Sequence, residues 1–152
     1  MPTTGHILVI GFGNTLRGDD ALGRIACQRL REHIDANRVT VIDQTAPTPE
    51  LAVDVAKASL VIFLDASEDG PVDQIVTRVV DVSEVATVMA HRLGPSEILA
   101  LAAHLYESSP PAYVISFQGK TFELSDNQLT AEADVACRQI VQCALELIDA
   151  RI

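Results

Sequence analysis

Short apolar runs alternate along the chain with longer segments in which apolar residues recur every three or four positions. A short continuous run is typical of a buried strand, whereas the recurring pattern predicts a helix that turns one face to a core. Strands are therefore predicted at residues 7–10, 39–42, 60–64, 75–80 and 112–117, and helices at about 20–34, 49–58, 95–105 and 127–150.

The order of these elements predicts the fold class. Strands that alternate with helices form a mostly parallel sheet with helices packed on both faces. We therefore expect an α/β protein, a three-layer αβα sandwich around a mostly parallel, twisted sheet. The strand at 75–80 carries enough polar residues to lie at an edge of that sheet. No repeat or linker interrupts the pattern, so residues 1–152 are interpreted as one domain.

Composition and charge narrow the classes of function. The 152 residues are 48% hydrophobic and carry a formal net charge of −10. A surface this acidic repels phosphate groups, so neither a nucleic acid nor an anionic membrane is expected as a partner. No apolar run approaches the roughly 20 residues that span a bilayer. We expect a monomer.

The N-terminus and the cysteines indicate the compartment. The first residues lack the basic segment of a signal peptide, so the protein is expected in the cytoplasm. Cys27, Cys137 and Cys143 are odd in number and form no CxxC motif. They are interpreted as buried or idle thiols in a reducing compartment rather than as redox or metal groups.

A glycine-containing loop, residues 11–20, follows the first predicted strand. A dinucleotide fingerprint would need a third glycine at position 16, where this chain has Leu16. Asp19 and Asp20 stand at the predicted helix start, where two carboxylates would repel a phosphate. A nucleotide is therefore not expected. Asp19 is interpreted as the helix cap, which leaves Asp20 for another role.

Three carboxylates follow the first three predicted strands. Asp20 comes shortly after the first strand, Asp43 ends the second and Asp65 ends the third. In an open parallel sheet, ligand sites form beyond the carboxyl ends of the strands. Each aspartate is also an ordinary turn residue. Their coincidence nevertheless favours a functional edge of the sheet.

Among the four histidines, His91 is the candidate for that edge. His6 precedes the first strand at the opposite edge, and His33 and His104 lie in predicted helices as structural or solvated residues. His91 lies in an irregular stretch before a helix start, from which a loop can bring it over the edge. One imidazole with two carboxylates suits nickel or zinc and leaves coordination positions open. Spacing alone leaves open whether His91 is a ligand.

Several segments together resemble the hydrogenase maturation proteases, endopeptidases that trim the C-terminal extension from the large subunit of nickel-iron hydrogenases. The likeness spans about residues 6 to 118. It rests on an opening glycine motif, a loop after the second strand, a third strand ending in Asp-Ala, and a histidine segment. These are Gly11–Asp20, Asp43 with Thr45 and Pro49–Leu51, Val61–Ala66, and His91–Gly94.

The resemblance implies a function and a site. A protease of this kind cleaves one peptide bond in the hydrogenase large-subunit precursor after nickel insertion. By motif position, Asp20, Asp65 and His91 are implied as the catalytic and metal-contacting residues. The nickel is carried by the precursor, so it belongs to the substrate. Cleavage would then wait until the metal is loaded.

The reaction leaves alternatives open. No Ser or Cys stands beside His91 as a nucleophile–base pair, which favours attack by water. The metal acts as a Lewis acid, or a carboxylate at the edge acts as general base. Two other functions remain: a non-catalytic metal-sensing chaperone of the precursor, and a stand-alone metallopeptidase with its own zinc.

Overall fold

The computed structural model describes residues 6–13, 21–67, 74–80, 93–118 and 130–151. Strands and helices alternate through these ranges, as the sequence predicts. In chain order they are β1 (Ile7–Phe12), α1 (Leu22–Leu30), β2 (Val39–Gln44), α2 (Leu51–Lys57), β3 (Leu60–Ser67), β4 (Ile75–Val79), α3 (Pro95–Tyr106), β5 (Ala112–Gln118) and α4 (Ala131–Arg151).

The strands form one sheet in the order β2-β1-β3-β5-β4. The first four of these are parallel, and β4 pairs antiparallel with β5. The prediction of a mostly parallel sheet is therefore confirmed. The prediction that the polar fourth strand lies at an edge is also confirmed.

Helices cover both faces of the sheet. Successive strand residues point to opposite faces, so each buried strand contributes to two cores. Ile7, Val9, Ile62 and Leu64 belong to the core under α1 and α4, and Leu8, Ile10, Val61 and Phe63 to the core under α2 and α3. Helix α1 packs beside α4, and α2 beside α3. This arrangement confirms the predicted three-layer αβα sandwich.

Two strands continue past the polar residues at which the sequence pattern ends them. Asp43 pairs in register with Gly11, and β2 continues to Gln44. Asp65 pairs in register with Ser116, and β3 continues to Ser67. The prediction that these aspartates end their strands is wrong. Backbone pairing continues because it depends on the neighbouring strand, whereas the side chain only has to face solvent or find a partner.

The helix boundaries also differ slightly from the prediction. Helix α2 begins at Leu51 instead of Pro49, because a turn comes first in which the Leu51 N–H donates to the carbonyl of Thr48. Helix α1 ends at Leu30 and tightens into a 3₁₀ turn over Arg31–His33. No helix in the described ranges has the length and apolar character needed to cross a bilayer.

Two glycines bring α1 unusually close to the sheet. A Cβ on Gly23 would overlap the carbonyl oxygens of Leu64 and Phe12, and one on Gly11 would overlap the carbonyl of Gly23 and the sulfur of Cys27. Any larger residue at either position would push the helix away. The first turn of α1 therefore rests directly on the ends of β1 and β3.

This close approach predicts the sign of a substitution. An alanine is ordinarily better than a glycine in a helix, by about 1 kcal/mol. Gly23→Ala should instead lower the free energy of unfolding, by about 1–3 kcal/mol, because the overlapped atoms are backbone atoms that cannot turn aside. Urea unfolding measures the change.

Gly94→Ala is the matched control, because a Cβ there would meet only the end of the flexible Glu97 side chain. The Glu97 oxygen that the Cβ meets also accepts the capping hydrogen bond of Gly94, so the unfolding free energy should fall slightly, by no more than about 1 kcal/mol. A stabilised Gly23→Ala protein would contradict the close packing of α1.

Candidate functional site

The parallel strands β1, β2, β3 and β5 all end at one edge of the sheet, which we call the carboxyl edge. From β1 the chain passes to β2 on one side, and then to β3 on the other side of β1. The direction in which the chain crosses the sheet therefore reverses between the neighbouring strands β1 and β3. Such a point leaves a crevice outside the strand ends, which is where ligands bind in open α/β sheets.

Asp65 lies on a strand that borders this crevice. It follows Leu64 on β3 and faces the α2/α3 side, as Phe63 does two residues earlier. It is partly exposed, whereas Leu64 and Ala66 on either side of it are buried. Ser116 lies opposite it on β5 and shares the same face. A carboxylate that stays accessible next to a buried strand is a feature expected of a binding site.

Helix α1 begins at the carboxyl edge. Its first turn lies against the carbonyl groups of Phe12 and Leu64, as the close packing of Gly23 shows. The chain enters this turn at Ala21, which is fully buried. The residue before Ala21 in the sequence is Asp20.

Helix α3 also begins at the carboxyl edge. Just beyond its end, the Ser108 hydroxyl donates to the carbonyl of Ala56, beside the start of β3 at the opposite edge. Because α3 ends beside that contact, its first residues lie at the other end of the helix, at the carboxyl edge. There the Gly94 N–H donates to Glu97 Oε1 at 2.8 Å and caps the helix. His91 precedes Leu93, the first described residue of this segment, by two positions.

The structure thus describes one of the three predicted site residues. Asp65 lies at the carboxyl edge, whereas Asp20, His91 and the predicted cap Asp19 lie outside the described residues. Within the described ranges, no group of three His, Cys, Asp or Glu side chains is arranged to hold a metal ion. Convergence of Asp20 and His91 on Asp65 therefore stays a prediction.

Asp43 lies near the carboxyl edge but on the other face of the sheet. It follows Val39 and Val41 at alternate positions of β2, and both valines pack on the α1/α4 core. Asp65 faces the α2/α3 side. The sequence pattern grouped these carboxylates as neighbours, and the structure separates them by the thickness of the sheet.

Two arginines of the α1 segment bind the Asp43 carboxylate. Arg24 Nε donates to Oδ2 at 3.3 Å, and Arg31 Nη2 donates to Oδ1. Arg24 also donates to the Thr45 hydroxyl at 3.4 Å, and Arg31 to the Val41 carbonyl at 3.1 Å. Sequence reasoning missed both arginines. Their spacing of seven residues, two helical turns, is the signal that places them on one face.

Burial of Asp43 acts to raise the pKa of its carboxyl group. The hydrogen bonds and charges of Arg31 and Arg24 outweigh burial, so the pKa lies below its usual value. Asp43 is therefore a stable anion at neutral pH, and both of its oxygens are already occupied by cations.

The cysteines that the structure describes are poor nucleophiles. Burial raises the pKa of the Cys27 thiol to about 12, and the nearby Asp43 carboxylate adds to the effect. Burial also raises the pKa of Cys137, to about 11. Both residues are fully buried, as predicted, and Cys143 is partly buried.

His6 lies at the opposite edge of the sheet, as the sequence indicates. Its Nε2 is 2.8 Å from the Thr40 hydroxyl, and its carbonyl accepts hydrogen bonds from the backbone N–H and the hydroxyl of Ser59. His6 therefore has a structural role away from the crevice.

Known structures share this architecture over almost the whole chain. A [NiFe] hydrogenase maturation protease, HycI, from Thermococcus kodakarensis is 19% identical with a TM-score of 0.77, and covers 97% of this chain and 94% of its own. The hydrogenase maturating endopeptidase HybD from E. coli is 21% identical with a TM-score of 0.78, and covers 95% and 93%.

A hydrogenase 2 maturation peptidase from a Thaumarchaeota archaeon is 26% identical with a TM-score of 0.69, and covers 94% of this chain and 97% of its own. The chain has the fold of the hydrogenase maturation proteases. This likeness confirms the resemblance that the sequence motifs indicated. No protein-family model matches the chain, and no curated protein sequence matches it.

In this maturation-protease-like fold, the contacts with Arg24 and Arg31 give Asp43 a testable electrostatic signature. Asp43→Asn should lower the free energy of unfolding by about 1 kcal/mol near neutral pH, because a charged hydrogen-bond partner is lost. The folded pKa is lowered, so the carboxylate stabilises the fold above the ordinary pKa of about 4, and this contribution is lost as pH falls through the folded value.

Urea unfolding of parent and variant at several pH values measures this effect. The difference between them should be largest near neutral pH and should shrink in acid. Asp54→Asn, at an exposed position of α2, is the control and should show little difference at any pH. A difference that grows as the pH falls would contradict the assignment.

Proposed function

We propose that this chain is an endopeptidase that removes the C-terminal extension of a nickel-iron hydrogenase large-subunit precursor after nickel insertion. The observation that carries the proposal is a carboxylate, Asp65, at the point of the sheet where ligands bind in open α/β folds, in a fold shared with named hydrogenase maturation proteases. The shared fold spans nearly the whole length of both partners in each comparison, so no large part of the neighbours is missing from the match.

The proposed nickel contacts are Asp20, Asp65 and His91. Asp65 lies on β3 at the carboxyl edge. Helices α1 and α3 begin at the same edge, and in the chain they follow Asp20 and His91, respectively. The donor set of two carboxylates and one imidazole suits nickel and leaves positions for ligands from another molecule. Such a set fits a metal that remains bound to the precursor while the protease recognises it.

Recognition of the bound nickel would determine when the precursor is cleaved. Three ligands from separate parts of the chain include two anions, which repel each other until a cation lies between them. A precursor that brings the nickel relieves this repulsion, whereas an empty precursor does not. The nickel would therefore align the precursor so that one peptide bond lies within reach of a water molecule.

The attacking group is proposed to be water. The buried thiols of Cys27 and Cys137 are protonated at neutral pH, which removes them as nucleophiles. The nickel polarises the bond or the water as a Lewis acid, or a carboxylate of the site accepts the proton of the water. Either route gives two fragments, the trimmed large subunit and the released C-terminal peptide.

The first test removes each proposed ligand in turn. Asp20→Asn, Asp65→Asn and His91→Ala should each lower processing of nickel-loaded precursor by at least about 100-fold, because each removes a direct contact to the metal. Precursor shortening on a gel measures activity, and circular dichroism measures folding. Asp54→Asn, a carboxylate lost from an exposed helix surface, should process normally.

Full processing by any one of the three ligand variants would remove that residue from the site. A chain that binds the precursor but never shortens it would instead be a metal-sensing chaperone. These two outcomes are separated by measuring binding and shortening in the same samples.

The second test removes the metal. Precursor made without nickel should not be shortened, because the proposed recognition needs the metal as a bridge. The purified chain should contain no stoichiometric metal. Efficient cleavage of nickel-free precursor would overturn the mechanism, and one tightly bound zinc per chain would indicate a stand-alone metallopeptidase. Elemental analysis measures the metal content of the purified chain, and a gel assay measures cleavage of the precursor.

A further inference from the structure

Asp43 connects the edge strand β2 to both ends of the α1 segment. Arg24 lies in the first turn of α1, and Arg31 follows its last residue. Seven residues of helix span about 10.5 Å, yet the two side chains converge on one carboxylate. Because one rigid anion holds two points of the helix, it restrains sliding and rotation of α1 along the sheet.

The rest of α1 is held by apolar contacts and one further ion pair. Leu22, Ala26 and Leu30 are buried in the core. Arg29 Nη2 donates to Asp134 Oδ1 on α4 at 2.6 Å. The helix therefore has enough contacts to stay folded and docked without Asp43. The contact of Asp43 with Arg24 lies in the first turn, the part of α1 nearest the ends of the strands.

The first turn of α1 is the part of the helix next to the proposed site. It rests on the carbonyl groups of Phe12 and Leu64, one residue before Asp65. It also follows Asp20 directly in the chain. A small shift of this turn would move the start of α1 relative to the strand that carries Asp65, and binding sites tolerate only about 0.5 Å of such misplacement.

We propose that Asp43 is a positioning residue that acts through Arg24: it fixes the first turn of α1, the helix that follows Asp20 in the chain, against the end of the strand that carries Asp65. This role rests on the proposed function of the site. Asp43 is a poor candidate for a metal ligand, because it faces the opposite side of the sheet and each of its oxygens accepts from an arginine.

A double-mutant cycle tests the proposal. Asp43→Asn and Arg24→Gln should each lower kcat/KM for nickel-loaded precursor by about 10- to 100-fold, the range typical of residues that support metal ligands. The double variant should be no worse than Asp43→Asn alone, because Asp43→Asn already removes the restraint that acts through Arg24. Asp43→Glu, which keeps the negative charge, should process faster than Asp43→Asn.

Asp134→Asn is the matched control. It removes an ion pair from the same helix, but at Arg29, two turns beyond the start of α1. Its processing rate should remain within about 3-fold of the parent, which is less than 1 kcal/mol in free energy. All variants are assayed at a temperature at which circular dichroism shows them fully folded.

Amide hydrogen exchange supplies a readout independent of processing. Asp43→Asn and Arg24→Gln should speed exchange of the Ala26 and Cys27 amides, whose helical hydrogen bonds go to carbonyls in the first turn of α1, while the strands keep their protection. Unchanged exchange there would overturn the proposal. So would normal processing by Arg24→Gln when Asp43→Asn is inactive, since Asp43 would then act directly.

A parent protein that never shortens the precursor would refute the proposed function, and the exchange measurement would still decide whether Asp43 aligns α1. The two failures are therefore distinguishable.

Discussion

The contact between Gly11 and Gly23 is the constraint on which the rest of the site depends. It lets a helix backbone lie against strand carbonyls with no side chain between them. The carboxyl edge is therefore built from the first turn of α1 and the ends of β1 and β3 as one packed unit. A bulkier residue at either position would separate these elements and widen the crevice beside Asp65.

The layers of the fold could be predicted from the sequence because the strands of a buried parallel sheet are short, continuous apolar runs. Such runs alternate here with segments of helical periodicity. Their ends do not, because a polar residue such as Asp65 stops the apolar run while the backbone continues to pair with β5. The edge position of β4 was predictable from its polar residues. An edge strand has a neighbouring strand on one side only, so more of its side chains face solvent.

The candidate site was only partly predictable, for a physical reason. The sequence shows that Asp43 and Asp65 each follow an apolar run, but it does not show how their two strands are aligned, so the two residues looked equivalent in the sequence. Only the register of β1 with β2 and β3 assigns them to opposite faces. The spacing of Arg24 and Arg31 showed a shared helix face, but their partner depends on the strand order.

Arg31 also has a consequence for the sheet as a whole. Its guanidinium donates to the carbonyl of Val41 on β2, the outer strand on that side of the sheet. An exposed strand edge is a template for pairing with another chain, which leads to aggregation. The Arg31 guanidinium, which is held by Asp43, occupies the Val41 carbonyl, and a pairing strand would need that carbonyl as a hydrogen-bond acceptor. The carboxylate that holds the helix thus also leaves one fewer backbone acceptor on the outer side of β2 within the part of the chain that the structure describes.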